Sequence, residues 1–175
     1  MDKYDEYQYS VTIDRPRQEL YEYWRDFENL PQFSPHLNTV RTIGANRSEW
    51  STDGPTGPVT WIAEMTVDKP GEVIGWNTVE GSDVEMHGVV KFQDAPQGRG
   101  TEVSVYMKLK APWGPIGKFV AKATGNSPDQ EVEEMLRRFK TLMESGEIPV
   151  VEGQPSNQMR GDNMPGDESA RTGLR

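Results

Sequence analysis

The stretch Ser127–Gly146, with the sequence SPDQEVEEMLRRFKTLMESG, decides the fold class of this chain. Six apolar residues recur in it at the i, i+3, i+4, i+7 spacing of an amphipathic helix, namely Val132, Met135, Leu136, Phe139, Leu142 and Met143. Ser127 and Gln130 form a capping-box pattern at its start, and Gly146 provides a left-handed cap at its end. Burial of this apolar stripe at roughly 1.5–3 kcal/mol per side chain supplies on the order of 10 kcal/mol of gross driving force. The helix is therefore expected to be held by docking onto other elements.

A run of strand-like segments with short turns between them precedes this helix. They are Asn38–Ile43, Arg47–Ser51, Val59–Val67, Val73–Val79, Val84–Gln93 and Thr101–Leu109. Short connections favour antiparallel pairing of neighbouring strands. Alternation places Trp61, Ala63, Met65 and Val67 on one face, which is rich in Trp and Met along the other strands too, and leaves the opposite face largely polar. One long helix after many strands predicts an α+β fold in which a curved antiparallel sheet wraps around the C-terminal helix.

The N-terminal part predicts a further strand and two short helices. Tyr7–Ile13 alternates and is rich in β-formers, and the sequence Asp14-Arg15-Pro16 stops the strand. Pro16 suits the first turn of a helix, and Asp14 is a candidate cap for it. The helix is expected to run to about Arg25, and residues 29–33 to form a short second helical turn.

The composition limits the classes of function. The 175 residues carry 28 acidic and 19 basic side chains, a formal charge of −9, and no cysteine. Thiol chemistry, disulfides and thiolate metal sites are excluded, and the acidic balance argues against a nucleic-acid partner, which needs a clustered basic surface. Neither a signal peptide nor a membrane-spanning run is apparent, so a cytoplasmic location is expected. Residues 1–151 are predicted to form the domain and residues 152–175, poor in large apolar side chains, a disordered tail.

The order of elements and several local stretches resemble the START-like (SRPBCC) superfamily, in particular bacterial members of the polyketide cyclase/dehydrase and lipid-transport family. The matching stretches are Ile13–Pro16, Trp24–Pro31, Pro35–Leu37, Ser48–Trp50, Pro70–Trp76, Gly100–Val103 and Arg138–Gly146. The resemblance implies a helix-grip fold with a hydrophobic cavity between the sheet and the last helix. It also implies binding of lipids, quinones, polyketides or other apolar molecules, and it carries over no catalytic motif residue by residue.

Large apolar side chains on the predicted inner faces are the candidates for lining that cavity. They are Trp61, Met65, Trp76, Met86, Phe92, Met107, Phe119, Met135 and Phe139. Met adapts to irregular apolar shapes, and Trp offers a large flat surface with one polar group. The alternative is that any of them simply fills the core.

Few polar residues suggest chemistry. His36 follows Phe33-Ser34-Pro35 near the expected mouth of the cavity and is the first candidate for a titrating group in a ligand site. His87 and Glu64 fall on the polar face by alternation and are expected to be solvated. No catalytic constellation, cofactor motif or metal-ligand spacing is apparent. The segment Trp113–Lys122 combines apolar residues with Lys118 and Lys122, which is consistent with a lid, a peripheral membrane contact, or an ordinary helix packed at the edge of the core.

Three functions remain open from the sequence. The first is noncatalytic binding of a small hydrophobic or amphipathic ligand, for transport or sequestration. The second is an enzyme of the cyclase or dehydratase type acting on an aromatic or polyketide-like substrate, with His36 or a pocket tyrosine moving protons. The third is an accessory factor that contacts a membrane or a protein partner through Trp113–Lys122. The sequence gives no indication of the oligomeric state.

Overall fold

The computed structural model describes residues 4–54, 56–110 and 128–146 of the chain. These residues form seven strands in one antiparallel sheet, with the spatial order β1-β7-β6-β5-β4-β3-β2. The strands are β1 Asp5–Ile13, β2 Leu37–Thr42, β3 Arg47–Gly54, β4 Gly57–Lys69, β5 Val73–Thr78, β6 Glu85–Asp94 and β7 Thr101–Lys110. The helices are α1 Arg17–Arg25, a 3-10 helix Phe27–Gln32, a 3-10 turn Pro96–Gly98 and α2 Pro128–Ser145.

This architecture confirms the predicted helix-grip fold, with two short helices after the first strand and the long helix at the end of the described chain. Except for β1, the strands follow one another across the sheet as neighbours, as the short connections indicate. β1 instead pairs with β7, so the first and last strands lie side by side at one end of the sheet. Phe119, the segment Trp113–Lys122, the cap residue Ser127 and the tail 152–175 lie outside the described residues.

Helix α2 docks through the predicted stripe. Val132, Met135, Leu136 and Phe139 are buried, and Leu142 and Met143 are partly buried against the same core. The far end of α2 is tied to the end of β1, where the Asp14 backbone N–H donates to the Glu144 carboxylate at 2.8 Å and the Arg15 guanidinium donates to the Glu144 carbonyl at 2.6 Å. Gly146 closes the helix in the left-handed region with φ +74°, as its position predicts.

Two local predictions are wrong. Asp14 does not cap α1, because Pro16 occupies the N-cap position and makes no side-chain cap bond. Val67 does not share the inner face with Trp61, because a β-bulge between Met65 and Val67 adds a residue to β4 and breaks the alternation. Val67 is 39% exposed as a result.

Helix α1 is anchored to β4 beyond this bulge by Asp68. The carboxylate of Asp68 accepts hydrogen bonds from the Tyr21 hydroxyl and, at 2.8 Å, from the Arg25 guanidinium. Burial raises the pKa of the Tyr21 hydroxyl to about 12, and the hydrogen bond to Asp68 acts in the same direction. Burial acts to raise the pKa of Asp68 as well, but the hydrogen bonds from Tyr21 and Arg25 outweigh it and hold that pKa below the ordinary value.

The contacts of Asp68 with Tyr21 and Arg25 predict a pH-dependent contribution to the free energy of unfolding. A raised tyrosine pKa means that the Tyr21 contribution is complete below pH 10 and is lost as the pH rises toward about 12. The lowered Asp68 pKa means that the carboxylate contribution is present above about pH 4 and is lost as the pH falls through its folded-state pKa. In urea unfolding, the stability difference between wild type and Tyr21→Phe is therefore expected to shrink above pH 10. A difference that stays constant from pH 7 to pH 12 contradicts this assignment, and Tyr106→Phe, at an exposed tyrosine, is the control.

Candidate ligand cavity

A cavity of about 130 Å³ lies between the inner face of the sheet and helices α1 and α2. Strands β1 and β3–β7, with the first residue of β2, supply lining residues on one side, and α1, the 3-10 helix Phe27–Gln32 and α2 supply them on the other. Its lining residues are Tyr7, Trp24, Leu30, Ser34, Pro35, His36, Leu37, Trp50, Thr52, Trp61, Trp76, Met86, Met107, Leu109, Val132 and Met135.

Three tryptophans from adjacent strands form one wall. Trp50 and Trp61 are paired across β3 and β4, and their ring centroids are 6.1 Å apart. The rings of Trp50 and Trp76 are stacked at 6.2 Å with 29° between their planes, and Phe27 meets both of them edge-on at 5.5 Å. Such contacts add about 0.5–1.5 kcal/mol per pair beyond area burial. The tryptophan wall is therefore a packed aromatic surface.

Gly88 makes room for this wall. It is paired with Trp76 across β5 and β6. A Cβ atom at Gly88 would lie 2.2 Å from two carbons of the Trp76 indole, far inside van der Waals contact. Glycine within a strand often marks such a close approach. The indole of Trp76 can lie against the sheet only because residue 88 has no side chain.

The other end of the cavity is aliphatic. Met86 from β6 and Met107 from β7 lie beside Leu109, while Val132 and Met135 of α2 close the cavity from the helix side. In the sheet register Met86 is opposite Leu109, and Met107 is opposite Gly88. Met86 is buried, whereas Met107 is partly exposed. Unbranched Met side chains adapt to ligands of different shape.

The rim of the cavity is where the lining residues reach solvent. Ser34, His36, Leu37 and Thr52 are half-exposed and Pro35 is exposed. The Thr52 hydroxyl donates to the His36 carbonyl at 2.6 Å, which ties the segment before β2 to β3. Polar side chains of the lining are thus concentrated at the entrance.

The interior offers almost no hydrogen-bonding surface. The indole N–H of Trp50 donates to the Ser48 hydroxyl at 2.7 Å. The indole nitrogens of Trp24, Trp61 and Trp76 are buried and have no hydrogen-bond partner among the described residues. Among the described lining residues, His36 is the one histidine. Across residues 4–54, 56–110 and 128–146, no three His, Cys, Asp or Glu side chains are grouped in a way that could hold a metal ion.

Five of the predicted lining residues are brought together around the cavity. They are Trp61, Trp76, Met86, Met107 and Met135. His36 lies at the rim, and its participation in ligand binding stays a prediction. His87 is exposed and contacts Asn77 at 2.9 Å, and Glu64 forms an ion pair with Arg47.

Three other predicted residues lie elsewhere. Phe139 and Phe92 are fully buried against Trp24, with ring centroids 5.1 Å and 6.5 Å from it, so they fill the core between the helices and the sheet. Met65 lines a separate surface cleft with Arg25, Arg47 and Phe27. Strand β4 extends beyond the end of the cavity at Met65. This side chain therefore lies on the inner face of the sheet but does not line the cavity. Phe119 is outside the described part of the chain.

Sequence reasoning missed several lining residues. The largest are Tyr7, Trp24, Leu30, Trp50 and Leu109. Trp50 had a usable signal, because Ser48, Trp50 and Thr52 alternate with polar residues along β3 and so share a face. Leu30 had none, since its direction depends on how the 3-10 helix meets β2.

Comparison with known proteins supports the fold. The structure of DR_A0006 from Deinococcus radiodurans is 35% identical, with a TM-score of 0.70 over 82% of this chain and 99% of that chain. The Zhui aromatase/cyclase from Streptomyces sp. R1128 has a TM-score of 0.59 over 84% of this chain and 100% of that chain. At 12% identity, this second likeness concerns the fold alone.

A protein from Streptomyces lincolnensis, described as an uncharacterized 17.2 kDa protein of the melC2-rnhH intergenic region, is 30% identical over 83 residues. That match spans 47% of this chain and 55% of the Streptomyces protein. In the part of the chain that the structure describes, no helix is both long and apolar enough to cross a membrane.

The family match covers more of the chain than the identity to the Streptomyces lincolnensis protein does. Residues 13–140 match the family described as polyketide cyclase/dehydrase and lipid transport. The match begins at the last residue of β1 and ends within α2, so it includes every lining residue named above except Tyr7. Because it covers well over half of the sequence, the chain belongs to the polyketide cyclase/dehydrase and lipid transport family.

Proposed function

We propose that this protein binds a small hydrophobic or amphipathic molecule in the cavity between the sheet and α2. The observation that carries the proposal is the lining: the interior is made mainly by tryptophan, methionine and leucine side chains together with Tyr7, and the other polar side chains stand at the rim. Concave, mostly apolar pockets with a few polar groups are the usual form of small-molecule sites. Family membership points in the same direction, because the family description includes lipid transport.

A cyclase-type enzyme is the second candidate. The family description favours it, and Tyr7 and His36 are lining groups able to move a proton. Acid–base chemistry needs such groups within hydrogen-bond reach of the same reacting atoms. Here Tyr7 belongs to the buried wall and His36 to the rim, and the Tyr7 hydroxyl is covered by neighbouring atoms. Binding without turnover is the function that this lining favours.

A ligand screen tests the proposed function. Thermal unfolding is followed in the presence of lipids, quinones and aromatic polyketides, and the purified protein is weighed by native mass spectrometry. We expect at least one class to raise the unfolding temperature in a saturable way. The change that should abolish the shift is Met107→Trp, because the larger side chain at this partly buried wall position extends into the open space.

Met65→Trp is the matched control for that variant. Met65 is also partly buried on the inner side of the sheet, but it lines the separate cleft. If Met107→Trp retains the ligand-induced rise in unfolding temperature and Met65→Trp loses it, the ligand binds in the cleft beside Met65 and not in the cavity. The proposal is wrong if no class of compound raises the unfolding temperature. Turnover of an aromatic substrate that His36→Ala abolishes would favour the cyclase function instead.

A further inference from the structure

The lining and volume of the cavity narrow the proposed function to one class of ligand. Building on ligand binding in this cavity, we propose that the buried part of the ligand is a single uncharged aromatic ring. The polar substituent of that ring, or the rest of a longer molecule, lies at the rim formed by Ser34–Leu37 and Thr52. Met86 sets the upper limit on the size of the buried ring.

The volume of the cavity indicates the size of the buried part of the ligand. An engineered apolar cavity of about 150 Å³ in another protein binds benzene. The cavity here measures about 130 Å³, so it matches one six-membered ring and excludes two fused rings without movement of the wall. A larger amphipathic molecule fits only if its remaining part extends past Pro35 into solvent.

The shape of the wall favours a flat ring. Trp50 and Trp76 present stacked indoles, and Phe27 supports both from behind with edge-on contacts at 5.5 Å. Aromatic side chains interact best with other rings in offset-stacked or edge-to-face arrangements. A planar aromatic guest can make such contacts, whereas a branched aliphatic group of equal volume makes only dispersion contacts.

The distribution of polar atoms gives the orientation and the charge. A buried hydroxyl or charge without a partner is strongly disfavoured. The deep wall has its one paired indole N–H already bonded to Ser48. The Tyr7 hydroxyl and the indole nitrogens of Trp24, Trp61 and Trp76 are covered by neighbouring atoms. A polar group therefore has a place at the half-exposed Ser34 and His36, and none beside Trp76 or Met86.

Met86 is the residue that limits the size of the ring. It is buried at the aliphatic end, opposite Leu109 in the register, and faces the space that a second fused ring would need. The neighbouring Gly88 cannot yield, because Trp76 already fills the space above it. Truncation of Met86 is therefore the direct way to lengthen the cavity.

Two matched comparisons test the proposal by calorimetric titration. In the first, p-cresol and hydroquinone have the same size, but hydroquinone has a hydroxyl at both ends. We expect hydroquinone to bind at least tenfold more weakly. In the second, p-cresol is compared with 2-naphthol. We expect wild type to prefer p-cresol by about tenfold or more, and Met86→Ala to remove or reverse that preference because an Ala cavity is longer.

Met65→Ala is the control, since it removes the same atoms from the same sheet outside the cavity. Its preference should equal that of wild type. The proposal is overturned if hydroquinone binds as tightly as p-cresol, or if wild type binds 2-naphthol more tightly and Met86→Ala leaves that order unchanged. Those results leave ligand binding itself intact. Absence of binding by all three probes, and by every class in the thermal screen, would remove the proposed function along with the inference.

Discussion

Phe139→Ala is expected to lower the free energy of unfolding by about 3–5 kcal/mol, the range for removing a buried aromatic side chain. Phe139 is fully buried. Its ring centroid lies 4.8 Å from that of Phe33 and 5.1 Å from that of Trp24, so it joins α2 to both N-terminal helices. The cavity left by alanine cannot collapse easily between these two packed rings. Urea unfolding of the two proteins measures the difference.

Arg137→Ala on the same helix is the control for Phe139→Ala. Arg137 is exposed and pairs with Glu133 one turn earlier. An exposed ion pair of this kind contributes about 0.3–0.5 kcal/mol. If Phe139→Ala and Arg137→Ala destabilise the protein equally, then α2 is not held by the apolar stripe, and the helix-grip account of the fold is wrong.

Gly88→Ala is expected to cost about 2–3 kcal/mol of stability, as for other substitutions that overfill a packed core. The added Cβ would stand 2.2 Å from the Trp76 indole, which must move away from the sheet. Because Trp76 forms the cavity wall, the binding of p-cresol should weaken at least tenfold in the same variant. Urea unfolding and calorimetric titration report the two effects separately.

Gly44→Ala is the matched glycine control. Gly44 lies in the connection between β2 and β3, and a Cβ there meets nothing within 4 Å. Its stability should stay within about 1 kcal/mol of wild type, since alanine also restricts the unfolded chain slightly. Unchanged p-cresol affinity in Gly88→Ala would mean that Trp76 is not part of the binding site.

The architecture was predictable because each of its main features has a local signal. The spacing of Val132, Met135 and Phe139 identifies the docked face of α2, and the short turns between Val59 and Leu109 indicate antiparallel neighbours. Pairing of β1 with β7 has no local signal and was not predicted. The apolar spacing also does not predict where along α2 the burial ends. Leu142 and Met143 belong to the stripe but remain partly exposed.

The site was harder to predict because facing the core differs from facing the cavity. Alternation correctly places Met65 on the inner side, but it contains no information on where along the strand the cavity ends. Phe92 and Phe139 face inward and are covered by Trp24, which itself lines the cavity. The bulge that turns Val67 outward adds one residue to β4 and leaves no trace in the polarity of that strand.

The central claim is that a small apolar molecule occupies the space among Trp50, Trp76 and Met86. Methionine methyl groups report on this directly, since three of the five methionines in the described part of the chain, Met86, Met107 and Met135, line the cavity. Met65 and Met143 lie outside the lining and serve as internal controls.

The most direct measurement is a titration of protein labelled with 13C at its methionine methyl groups with p-cresol, followed by NMR. We expect saturable ring-current shifts at Met86, Met107 and Met135 with one common dissociation constant, while the Met65 and Met143 signals stay in place. Saturable shifts at Met65 without shifts at Met86 would contradict the account, as would the absence of any saturable shift.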